Sequence, residues 1–168
     1  LPMTTSPEST AVTFAEVLRP NNTEADGAIT RIEGEIPREL NGTLYRNGPN
    51  QNVLPESGQA GLHLFDGDAL VQAIRFEDGK AHHLGRYART EAFLHDEREG
   101  VYAIGGLKTG SERPTDAPPA SHSPNTNVVP HAGKLWAMAE NMPPFEMDPT
   151  TLESKGLWDY DGKMLGFS

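Results

Sequence analysis

Histidine is the side chain in this chain best suited to hold a metal or to move a proton, and six are present among its 168 residues. His63, His82, His83 and His131 would be the natural recruits for an all-histidine site. Their spacing gives them no joint role. No pair falls on one face of a helix, no carboxylate triad accompanies them, and His82 and His83, consecutive in a strand-like stretch, must point to opposite faces. Each therefore reads as a surface or hydrogen-bonded histidine. Asp66-Gly67-Asp68 opens like a calcium loop but lacks the downstream Asp/Asn and Glu of one. It reads as a turn in which the aspartates bond local amides and Gly67 supplies a positive φ. The absence of cysteine excludes disulfides, thiolate metal sites and a cysteine nucleophile, and it fits a reducing compartment.

Composition bounds the elements that must position these residues. The 17 Gly and 14 Pro make up about 18% of the chain, against roughly 12% in average usage, which favours short strands and many turns over long helices. A hydrophobic content of 36% suffices for one ordinary core. The net charge of −10 repels phosphate backbones and anionic headgroups, so nucleic acid is not an expected partner. No run approaches the roughly 20 apolar residues that cross a bilayer, and the start has no signal-peptide pattern, so a cytoplasmic location is expected, with at most peripheral membrane contact.

Residues 1–26 are expected to form a flexible arm, Ser/Thr/Pro-rich at first and with a brief helical pattern over 11–18. Apolar and charged residues then alternate over 29–35, and Asn41-Gly42 introduces a short strand over 43–46. Asp78-Gly79 between 69–76 and 81–90 signals a β-hairpin. Residues 105–127 carry almost no apolar pattern, as in a functional loop or a disordered one. Further short strands are predicted over 127–130, 134–141 and 145–148, with turns at His131-Ala132-Gly133 and at Asp148-Pro149-Thr150-Thr151. The run Asp96-Glu97-Arg98-Glu99 reads as a solvated hairpin end, and Trp136 and Trp158 as core aromatics. The fold class is all-β, with strands at roughly 8–12-residue spacing that fit a sandwich, a barrel or propeller blades.

Several phrases add a resemblance. Leu40-Asn41-Gly42-Thr43-Leu44-Tyr45-Arg46-Asn47-Gly48-Pro49 and His63-Leu64-Phe65-Asp66-Gly67-Asp68-Ala69-Leu70-Val71 are followed by Arg86-Tyr87-Ala88-Arg89-Thr90-Glu91 and Asn125-Thr126-Asn127-Val128-Val129. His131-Ala132-Gly133-Lys134-Leu135 and Met147-Asp148-Pro149-Thr150-Thr151-Leu152-Glu153 come next. In their order and spacing these resemble the N-terminal signatures of the carotenoid cleavage oxygenases, over roughly residues 27–168.

That resemblance implies early blades of a seven-bladed β-propeller, incomplete in this chain, in an Fe(II) enzyme that uses O2 to split a conjugated C=C bond into two carbonyl products. Four histidines would hold the iron. In the family the first lies in a Thr-Ala-His-Pro-like phrase that follows a segment resembling Asp159-Tyr160-Asp161-Gly162-Lys163. All four are thus expected beyond Ser168, the chain alone is expected to be inactive, and the missing portion or a complementary chain would complete it. Glu140 resembles a family glutamate that accepts the free ring N–H of a ligating histidine, so a buried position is expected for it. Phe65, Leu107 and Ala139 would line a substrate tunnel. Stilbene-cleaving relatives usually place a Lys and a Tyr where Ala139 and Leu107 stand, so an apolar carotenoid or apocarotenoid is the expected substrate. A stilbene is the alternative within the family, isomerisation another, and a non-catalytic β module the alternative outside it.

Overall fold

The computed structural model describes residues 23–53, 64–100, 123–140, 142–161 and 163. Two antiparallel sheets face each other. The first contains β1 (Ala25–Ala28), β2 (Gly42–Arg46), β3 (Pro49–Asn50), β4 (Asp68–Glu77) and β5 (Lys80–Tyr87), in the order β1-β5-β4-β2 with β3 also on β4. The second is a meander of β6 (Asn127–His131), β7 (Lys134–Met138), β8 (Phe145–Met147) and β9 (Ser154–Leu157). Among the described residues one α-helix, α1 (Glu91–Glu99), follows β5.

The β4–β5 hairpin forms where Asp78-Gly79 predicts it. Both residues take positive φ, 45° and 71°, the twist that a two-residue turn shares with right-twisted strands, and Glu77 pairs with Lys80. Ala132 and Gly133, at 51° and 75°, close the β6–β7 hairpin in the same way. Pro130 sits in β6, an edge strand, where a missing N–H costs no ladder bond.

Alternation places the core. Ala69, Val71 and Ala73 of β4 turn one way and pack with Leu135, Ala137, Phe145 and Met147 of the second sheet and Leu152 of the β8–β9 connection, all buried. Leu70 turns the other way and forms a second cluster with Tyr87 and Phe93, which brings α1 onto the opposite face. Burial on both faces explains why 68–71 is buried at every position. Side chains staple the sheets across long stretches of chain. The Tyr45 hydroxyl donates to the Pro149 carbonyl at 2.7 Å, and the Asn47 amide to the Asn127 carbonyl at 2.9 Å.

Several expectations need correction. The segment Asp96–Glu99 is no hairpin end but the last turn of α1. Thr90 caps that helix by accepting from the Phe93 N–H at 3.1 Å, and Gly100 ends it in the left-handed region at φ 70°. The strand expected over 81–90 accordingly stops at Tyr87. The alternation over 29–35 forms no strand, because after Ile29 donates to the Ala81 carbonyl the chain leaves the sheet edge. Pairing begins instead at Ala25, opposite Gly85, inside the segment assigned to the arm. Glu24 and Asp26 hold this edge through Arg89 at 2.9 Å and Arg86 at 3.3 Å. Trp136 and Trp158 are half-buried and meet edge to face at 5.9 Å, with the Lys134 ammonium 4.2 Å above the Trp158 ring. Residues 1–22 and most of the loop expected over 105–127 lie outside the described residues.

Candidate functional site

The site expectations converge on the start of β4 and the end of β7. A single 3-10 turn, Leu64–Asp66, leads into β4 and presents Phe65, which is 62% exposed. Its backbone is fixed from two sides. Asn125, itself buried, donates to the carbonyls of Phe65 at 3.0 Å and Gly67 at 2.7 Å. A Cβ on Gly67 would stand 2.6 Å from the backbone nitrogen of Asn50, closer than any side chain tolerates. Gly67 has no positive φ, so the expected reason for this glycine is replaced by another: close approach of two backbones.

Asp68 enters the interior at the end of the same turn. Burial pushes its carboxyl up from 3.8 to about 6, the Asn52 N–H donating at 3.3 Å opposes this, and the charge of Asp96 adds to it. Asp96 and His95 are also buried, with the ring Nδ1 3.2 Å from the carboxylate. Loss of water around the Tyr87 hydroxyl, reinforced by the charges of Asp68 and Glu24, holds that phenol above its usual range. Because the folded-state value of Asp68 is raised, its contribution to stability is complete below about pH 4 and is lost as pH rises through 6. A shift from 3.8 to about 6 corresponds to about 3 kcal/mol. Asp68→Asn, which keeps an acceptor for Asn52, is therefore expected to unfold at higher urea than the wild type at pH 8 and to flatten the loss between pH 4 and 7. Urea midpoints measured across that range check it.

Glu140 follows the last residue of β7 by two positions and is exposed, not buried as the resemblance led one to expect. The sheet ends at Met138, so nothing in the described residues covers the carboxylate. Its Oε2 accepts from the Thr126 hydroxyl at 3.2 Å. Thr126 precedes β6, and its N–H donates to the Met138 carbonyl, so the two hairpin ends orient this carboxylate together. Ala139 beside it is half-buried. Leu107 and His63 lie outside the described residues. His83 contacts Gln72 at 3.1 Å, His82 contacts Asp26 at 3.2 Å, and His131 is exposed at the β6 end. Among the described residues no three His, Asp or Glu converge as metal ligands. No described helix is long and apolar enough to cross a membrane. Sequence reading missed Thr126 and Asn125 as partners of this region, since their roles come from contacts 14 and 58–60 residues away.

Stacked antiparallel sheets of this kind occur in propeller oxygenases. The chain superposes on 33% of the crystal structure of Pseudomonas brassicacearum lignostilbene dioxygenase with a TM-score of 0.79, over 97% of its own length and at 31% identity. The described sheets are therefore blades of a β-propeller of the oxygenase class. Residues 18–168 match the family model described as retinal pigment epithelial membrane protein, and the chain belongs to that family, the carotenoid oxygenases. It is 38% identical to lignostilbene-alpha,beta-dioxygenase isozyme III of Sphingomonas paucimobilis, over 88% of the chain and 30% of the relative. With the apocarotenoid-15,15'-oxygenase of Synechocystis it shares 33% identity, over 96% of the chain and 34% of the relative. The chain thus spans about a third of the length of these curated relatives.

Proposed function

We propose that this chain is the N-terminal part of a non-haem iron oxygenase that cleaves a conjugated C=C bond of a carotenoid or apocarotenoid into two carbonyl products. The observation that carries the reading is the oriented carboxylate of Glu140. One oxygen is engaged by Thr126, and the other has no hydrogen bond among the described residues. An acceptor of this kind, held on the ends of two paired strands, suits the free N–H of a metal-ligating imidazole. The residues present would thus fit the outer support of an iron site and not its ligands. Bound there, ferrous iron would supply the activation of O2. Glu140 would fix the tautomer and orientation of one ligating ring and offset positive charge. Phe65, Ala139 and Leu107 would form apolar wall of the substrate tunnel, where an aromatic face and small aliphatic groups suit a polyene.

A phenolic stilbene is the second reading, and the 38% identity to a lignostilbene dioxygenase favours it. The chain's own residues oppose it, because Ala139 and Leu107 offer no partner to a phenol, and an unpaired buried hydroxyl costs about 1–3 kcal/mol. Incubating the complete protein, iron loaded, with an apocarotenal and separately with a hydroxystilbene decides between them. Mass spectrometry should find carbonyl fragments from the apocarotenal in excess. Faster cleavage of the stilbene would reverse the assignment, and no cleavage of either would leave a non-catalytic module.

A further inference from the structure

A cleft of about 410 Å³ opens between the first sheet and the β8–β9 turn, away from Phe65 and Glu140. Its floor is apolar: Ala73 and Leu84 are register partners on β4 and β5. One step along, Arg75 stands opposite His82, and Thr150 of the turn closes the rim. Two guanidinium groups face this space, and they differ in what they already hold. Arg86 is engaged by the Ala25 and Gly85 carbonyls at 3.0 Å each and by the carboxylate of Asp26 at 3.3 Å. Arg75 donates to the Thr150 carbonyl at 3.2 Å, and among the described residues it has no carboxylate within ion-pair distance. In a chain of net charge −10, a half-buried arginine over an apolar floor without a counter-ion stands out.

We infer that this cleft binds a small carboxylate on a short apolar stem, with the Arg75 guanidinium taking the carboxylate and the Ala73–Leu84 floor taking the stem. A planar carboxylate matches the donor fork of arginine in two parallel bonds. Asp26, which pairs with His82 at 3.2 Å on the same wall, selects against a phosphate dianion, whose greater charge it would repel.

Calorimetric titration of the complete protein with hexanoate, hexanamide and inorganic phosphate tests this. Hexanoate should bind, hexanamide and phosphate should bind at least about tenfold more weakly, and Arg75→Ala should weaken hexanoate by about tenfold or more. Arg75→Gln, which keeps a donor for the Thr150 carbonyl, should lose hexanoate equally while unfolding at the wild-type temperature. Both variants should retain wild-type C=C cleavage, which separates this cleft from the substrate tunnel. Equal binding of hexanoate and hexanamide, tighter binding of phosphate, or hexanoate affinity unchanged in both Arg75 variants would overturn the inference.

Discussion

Trimming Leu135 to alanine is expected to lower the unfolding free energy by about 2–5 kcal/mol. Leu135 has 0% exposure and lies where the faces of the two sheets meet, in one cluster with Val71, Ala73, Met147 and Leu152. The lost contacts therefore belong to both sheets, and backbones paired on either side restrict collapse into the void. A fall in the urea midpoint without a change in slope would report this as lost packing. A cost below about 1 kcal/mol would show that the sheets do not share a core as described.

Removing the charge of Glu140 should have the largest effect on function. Glu140→Gln in the complete protein keeps the shape of the side chain and an acceptor for Thr126, yet loses the anion. Iron affinity or turnover is expected to drop by about 10–100-fold, the range for partners behind metal ligands. Iron content after dialysis against a weak chelator separates this from a folding defect, provided the thermal midpoint stays at the wild-type value. Iron retained at the wild-type level would remove Glu140 from the metal centre and return it to an ordinary strand-end position.

Local signals made much of the fold legible. Asp78-Gly79 and Ala132-Gly133 set two hairpins because their positive φ values are dictated within two residues. Asp148 made its turn legible too, as its Oδ1 accepts the N–H groups of Thr150 and Thr151 at 2.8 Å each, which holds that carboxyl below its usual range. The helix was hidden by its composition. Asp96 and His95 look like surface residues in a charged run, and only the punctuation of Thr90 and Gly100 marked its limits. β9 was missed because Ser154-Lys155-Gly156-Leu157 lacks the β-branched and aromatic residues of a typical strand, and pairing with β8 decides it. Contacts such as Tyr45 with Pro149, 104 residues apart, have no signature in either segment. At the candidate site, Glu140 was visible only through the phrase around it, and its hydrogen bond from Thr126 emerged when two hairpin ends met.

The jammed junction at Gly67 bears on how this scaffold could be re-engineered. With the carbonyls of residues 65 and 67 both held by the Asn125 amide, a saturation library at position 65 would vary ring, branch and bulk on a backbone hydrogen-bonded in place. Any resulting change in selectivity could then be credited to the new side chain, a separation that loop-borne positions in most catalysts deny to the experimenter.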